Sequence, residues 1–361
     1  MKFEELIKDP FFDLPVYQNK NIQYDKLIDE LLNTFLSKVG KLDDGLLNIE
    51  NLHIDSFYVK ETQGVIVNGL KEVIKEYYDG FPAKAYQKLK DTLRNQLKDL
   101  YDVIKQKVYP PNENFYRIRL KEENFPLDAK DLFHIPFELR GKVTTQRYSI
   151  PGFPSLYLGQ TLYVCWEELN RPKIDKFQAV RLKNIKELSF LDLTPPQLNG
   201  NLLRQEVYRY FMTWPLIACC SIKVKDYSDT FKPEYIIPQL LLQWVRDNDV
   251  IDGIQYKSTH IEPSLYKQEG RLSNLVLPVK KNMSSGHCPK LKSLFETTEV
   301  VSWQLHEFAL GGQLFLSGDN SPIDNKLPKL ELIRGRKYPY SYSILGKLEG
   351  YLDGMNTKEI L

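Results

Sequence analysis

The chain has 361 residues, of which 42% are hydrophobic and 27% charged; that is about two domains' worth of globular protein and excludes wholesale disorder. Lys and Arg (49) against Asp and Glu (47) leave a net charge of +2, which offers no field for steering nucleic acid or a membrane surface. A slight acidic excess over 1–100 and a basic excess beyond it place any anion-binding surface in the later part.

No stretch reaches the roughly 18 apolar residues a membrane helix needs. The densest run, 211–224, is short and contains Pro215 and Lys223. The opening MKFEELIKDPFF carries acids where a signal peptide needs an apolar core. Four cysteines are too few for a disulfide scaffold, and Cys219 and Cys220 are adjacent, a poor geometry for pairing. The expectation is a reduced, cytoplasmic protein. The 22 Tyr and 18 Phe point to an aromatic-rich core, with stacking surfaces as the alternative.

In chain order, the first hundred residues read as helical. Leu27, Ile28, Leu31, Leu32, Phe35 and Leu36 recur at helical spacing, as do Leu89, Leu93, Leu97, Leu100 and Ile104 behind Pro82 at a first helical turn. A helix over 71–79 is expected to close at Gly80. The pattern breaks at Pro110-Pro111, after which 115–120 (FYRIRL) alternates as a strand does. Strands are expected over 186–193 and 251–257 and a short apolar one over 275–279; a helix over 238–246 begins at Pro238. This is an α+β pattern without regular βαβ alternation. The tail beyond 290 contains a Gly-rich apolar segment, 308–317, and then polar turns.

Several chemistries lack their motifs. There is no Gly-Lys-Ser/Thr phosphate loop, no Gly-x-Gly-x-x-Gly, no Gly-x-Ser-x-Gly, no His-Glu-x-x-His and no Cys-x-x-Cys. His287-Cys288 is the one close His/Cys pair, too few ligands for zinc.

The informative segment is 115–169. Alternation places Phe115, Arg117 and Arg119 on one face of a strand and Tyr116, Ile118 and Leu120 on the other. Either one arginine turns inward, where its fork needs an anion or planar acceptor, or this is an edge strand with solvated arginines. Arg147-Tyr148-Ser149 precedes proline-bracketed turns around Gly152, Leu156-Tyr157-Leu158 reads as a buried strand, and Thr161 is an N-cap for a helix over 162–169. On a helical wheel Leu162, Cys165 and Leu169 share a face, Glu168 lies on its flank, and Glu167 points almost directly away. Glu168 is therefore expected to line a cavity and Glu167 to meet solvent, with a surface salt bridge as the alternative for either.

In their order and spacing these pieces resemble the RES-domain family, named for an Arg, a Glu and a Ser. Its members are bacterial toxins and related proteins that attack NAD, with a fold similar to that of ADP-ribosylating toxins. The matching pieces are Tyr116-Arg117, Arg147, Tyr157-Leu158 and Glu168, eleven residues after that tyrosine. Further on come a helix carrying Gln239, the strand end Asp252-Gly-Ile-Gln-Tyr-Lys-Ser258, and Asn274-Leu-Val-Leu-Pro. The resemblance spans roughly 113–280. Thr145-Gln-Arg-Tyr148 stands where many members have Gly-Gly-Arg-Trp/Phe, and Ile236-Ile237 where some have the serine, so the serine is carried over to Ser258.

The resemblance implies an α+β, ADP-ribosyltransferase-like RES domain over 110–290. A helical region, 1–109, precedes it, and an extension, 291–361, packs on it. It implies an NAD-consuming enzyme that cleaves the nicotinamide–ribose bond without a metal and is restrained by a protein antitoxin or regulator. Glu168, Arg117 and Ser258 would be catalytic; Arg147, Tyr157, Tyr116, Tyr148 and Gln239 would hold NAD. Two alternatives stand beside it: a protein ADP-ribosyltransferase using the same residues, and a catalytically silent interaction protein.

Overall fold

A computed structural model describes residues 3–18, 21–49, 52–97, 106–121, 125–196, 204–262, 265, 270–304, 322–333 and 336–360. The expected helical positions Leu100 and Ile104 and the segment 308–317 lie outside them. The chain divides into two compact units, one of 1–106, 145–150 and 191–248, the other of 107–144, 151–190 and 249–361. This differs from the expected division in that residues 145–150 and 191–248 join the N-terminal helices; the tail beyond 290 joins the sheet unit, on which it was expected to pack.

The first unit is mostly helical. It contains α1 (Phe3–Leu6), α2 (Tyr24–Val39), α3 (Ser56–Tyr78), α4 (Pro82–Leu97), α6 (Arg204–Cys220) and α7 (Ile236–Asp247), with a hairpin of β1 (Leu46–Ile49) and β2 (Leu52–Asp55). Ile28, Leu32 and Phe35 form the buried stripe of α2, as their spacing requires. Phe35 stacks on Trp214 of α6 with ring centroids 5.0 Å apart, and Phe12 meets the same indole edge-on. The apolar run 211–220 is buried on every side, and α6 clusters with the N-terminal helices. The helix expected over 71–79 begins much earlier, at Ser56, where the Asp55 side chain caps it by accepting from Phe57 N–H at 2.9 Å, and Gly69 lets α3 close on α4. A Cβ at Gly69 would lie 2.2 Å from Thr92 Oγ1.

The second unit is α+β. Its strands are β3 (Gln106–Tyr109), β4 (Asn114–Leu120), β5 (Ser155–Gly159), β6 (Phe177–Asn184), β7 (Leu188–Asp192), β8 (Gly253–Lys257), β9 (Ser273–Pro278), β10 (Phe295–Thr297), β11 (Val301–Ser302) and β14 (Lys358–Glu359). Among the described residues they form one sheet in the order β14-β10-β6-β4-β5-β9-β8-β7-β3, with β11 also on β6. A separate hairpin joins β12 (Leu330–Ile333) and β13 (Arg336–Tyr338). β4 is thus an interior strand, paired with β6 over its whole length from Asn114↔Lys183 to Leu120↔Phe177. This rules out the edge-strand reading of its arginines. No helix of the described residues is long and apolar enough to cross a membrane.

One face of the sheet carries Phe115, Leu156, Leu158, Leu275 and Leu277, which pack with Leu132, Phe133 and Phe137 in the core. Strand alternation sends Tyr116, Gly159 and Asn274 to the opposite face, where α5 (Leu162–Glu168) and α9 (Ile344–Gly354) lie. Between them in chain order is the short α8 (Pro289–Lys292).

His134 is buried beside this core. Its Nε2 accepts from the Cys288 amide at 2.8 Å, its Nδ1 faces the Ile135 carbonyl at 2.8 Å, and its ring meets His287 edge-on. Burial pushes the His134 imidazole down from 6.5 to about 4 and lowers His287 as well. Below about 6.5 the unfolded chain therefore takes up a proton that folded His134 refuses. Stability present above that pH is lost as pH falls toward 4, at up to about 1.4 kcal/mol per pH unit for this group. Urea unfolding at pH 7 and pH 5 should show the loss, and His134→Gln should flatten it. An equal decline in the variant would remove His134 as its source.

Candidate functional site

The site is built around the turn from β5 into α5. Gly159 ends β5 and faces the helix: a Cβ there would lie 2.6 Å from Cys165 Sγ and 2.9 Å from the Thr161 carbonyl. Thr161 caps α5 as its sequence position predicts, its Oγ1 accepting from Val164 N–H at 3.3 Å, a contact worth about 1 kcal/mol. The Cys165 thiol is pushed up to about 12 by burial, and its Sγ contacts the Tyr116 carbonyl of β4 at 3.2 Å. The helix is thereby fastened to both strands.

A carboxylate from the tail completes the attachment. Glu349 of α9, fully buried, accepts from the Leu162 amide at 2.8 Å and from Tyr340 OH at 3.0 Å. Lys326 Nζ lies 2.8 Å from Glu349 and 2.7 Å from Asp353, and also donates to Tyr116 OH. Burial outweighs this lysine and raises the Glu349 carboxyl above the usual carboxylate range. No sequence motif marks this network, because its members are far apart in the chain.

The two adjacent acids at the end of α5 fare differently. Glu167, expected in solvent, is buried: both its oxygens accept from Arg171, at 2.9 and 3.0 Å. The reason lies after the helix, where Asn170 (φ 59°) and Arg171 (φ 55°) adopt left-handed backbone. The chain doubles back and lays Arg171 over Glu167 and the Trp166 ring. A helical wheel carries no information about that turn. Glu168 is half-buried, and its Oε1 accepts from Asn274 Nδ2 at 2.6 Å. Among the described residues Oε2 has no protein partner. Asn274 itself was visible in the sequence only as the head of an apolar strand.

Arg117 sits where the sheet opens. β4 and β5 pair only at Tyr116↔Gly159, and beyond that point Arg117 Nη1 donates to the Tyr157 carbonyl at 2.9 Å in place of a ladder bond. Its Nε is buried and has no hydrogen-bond partner among the described residues. Burial draws the guanidinium down to about 10, so it remains a cation at neutral pH. Arg119, on the same strand face, is exposed and donates to the Asp131 carbonyl. The inward arginine is therefore Arg117. Tyr157, half-buried on β5, has its phenol raised by burial, with Arg117 opposing that shift.

The remaining expected residues divide between the units. The row Tyr256, Asn274, Gly159, Tyr116 runs across β8, β9, β5 and β4, so Ser258, just past β8, lies at the same end of the sheet. It is fully buried, with Oγ accepting from His260 N–H at 3.1 Å. Tyr116, expected against a ligand, is instead sealed from solvent, its hydroxyl held by Asp353 and Lys326. Arg147, Tyr148 and Gln239 form a group within the helical unit. Arg147 Nη1 donates to the Cys220 carbonyl at 3.1 Å and lies over the Tyr235 ring. Gln239 Nε2 donates to the Gln146 carbonyl at 3.0 Å and contacts Ser149 Oγ at 3.3 Å. Tyr148 is buried against Cys220. Among the described residues no group of three or more His, Cys, Asp or Glu could hold a metal ion.

Over 362 aligned residues the sequence is 32% identical to a Bacillus subtilis (strain 168) protein named "Putative toxin YopC", covering 94% of this chain and 78% of that protein. No family model matches the sequence. No solved structure matches it.

The turn into α5 makes Gly159 intolerant of a side chain. Gly159→Ala is expected to cost about 1–3 kcal/mol by overpacking, read as a lowered midpoint of thermal unfolding. An unchanged midpoint would mean that α5 moves off the sheet without penalty.

Proposed function

The chain belongs to the family of Bacillus subtilis YopC, and from that premise we propose that it is a toxin-like enzyme that consumes NAD by cleaving the nicotinamide–ribose bond. The observation that carries this reading is the state of Glu168: one carboxylate oxygen is tied to Asn274 and the other has no partner among the described residues. Cleavage of this bond passes through an oxocarbenium-like state, and a fixed carboxylate with a free oxygen is suited to stabilise it. Glu167 is unsuited, since both of its oxygens are spent on Arg171.

On this reading the buried Nε of Arg117, without a partner among the described residues and set in the opening between β4 and β5, offers a donor to the NAD diphosphate. Tyr157 lines the nicotinamide and Ser258 shapes the pocket end. An ADP-ribosyltransferase-like fold for the sheet unit comes from the RES resemblance. A toxin of this kind implies a protein antitoxin as partner.

Purified protein should deplete NAD and release nicotinamide, and Glu168→Gln should lower that rate by at least about 100-fold with an unchanged thermal midpoint. Incubation with and without phosphate names the acceptor: free ADP-ribose for water, a phosphorylated ADP-ribose for phosphate, labelled protein for a transferase. Folded protein that leaves NAD intact under both conditions overturns the reading.

Arg117→Ala should raise the KM for NAD far more than Arg119→Ala, because only Arg117 sits in the opening of the sheet. Equal effects would take the opening out of the NAD site.

A further inference from the structure

We propose that Asn274 is a positioning residue for Glu168, an inference that rests on the reading of Glu168 given above. Asn274 is buried near the head of β9, and its backbone is locked between two strands, opposite Gly159 on one side and Tyr256 on the other. Glu168 is the last residue of a seven-residue helix and is only half-buried. The strand-held partner therefore sets the rotamer of the side chain at the helix end. The amide nitrogen faces the carboxylate, since only Nδ2 has hydrogens to donate.

The chemistry of the partner matters as much as its place. A primary amide orients a carboxylate without cancelling its charge. The neighbouring acid shows the alternative, because Arg171 grips Glu167 through both oxygens and neutralises it. A developing positive charge on ribose calls for a carboxylate that is fixed and still anionic. Asn274 supplies the first property and spares the second. Gly159, opposite Asn274 in the register, adds no side chain to the sheet face between Asn274 and the helix.

The test compares Asn274→Ala with Asn274→Asp in NAD turnover, with thermal unfolding alongside. Asn274→Ala should lower kcat by about 10- to 100-fold and leave the KM for NAD within about threefold of the wild type, because Glu168 loses its orientation while Arg117 is untouched. Asn274→Asp, which fills the same volume but sets a second carboxylate against Glu168, should fall at least as far. A packing role gives the opposite order, with Asp milder than Ala. That order, or an Asn274→Ala protein with wild-type kcat, overturns the inference while leaving the NAD reading intact. If Asn274→Ala does not fold, the isosteric Asp variant decides alone: folded and inactive supports the role, folded and fully active removes it. Wild-type protein without NAD turnover overturns the NAD reading and this inference together.

Discussion

Glu349 is a carboxylate with no solvent around it, and the sheet unit spends a lysine, a tyrosine hydroxyl and a backbone amide to keep it there. Breaking such a buried pair by removing one partner costs about 3–5 kcal/mol, so the network constrains everything attached to it. What is attached is the first turn of α5, whose leading amide Glu349 accepts. The helix cannot slide along the sheet without abandoning that bond, and Gly159 keeps it close enough for Cys165 to meet β4. The position of Glu168, at the far end of the same helix, follows from both.

The second constraint is the opening between β4 and β5. An interior strand normally satisfies its backbone through both neighbours. Here β4 does so fully with β6 and at a single position with β5, and the Arg117 guanidinium takes up a carbonyl that the ladder leaves. A cation drawn this far out of water is costly, which is why its acidity is raised. A ligand anion would repay that cost, and this links the strand irregularity to the proposed chemistry.

The tail beyond 290 shows why domain boundaries are hard to read from composition. The strands it adds to the large sheet are two or three residues long, too short to leave a periodic signal. They nevertheless extend the sheet past β6, and α9 brings in Glu349 and Asp353. Conversely, residues 211–220 of α6 are buried at every position and cluster with the N-terminal helices.

Local chemistry by itself determined the elements of this protein. The Thr161 cap, the alternation of 115–120, the stripe of α2 and Pro82 at the start of α4 each act within a few residues, and each appears where its pattern places it, whereas the helix expected from Pro238 begins two residues earlier, at Ile236. That alternation also narrowed the inward arginine to Arg117 or Arg119. Tertiary structure decided the rest. It took the neighbours of β4 to choose Arg117, a left-handed turn to bury Glu167, and a strand more than a hundred residues away to bring Asn274 to Glu168. It sealed Tyr116 against Lys326 and Asp353 for the same reason. Hydrogen-bond partners across that distance in the chain are set by sheet register and by which charges can be buried together, and no window of sequence contains either.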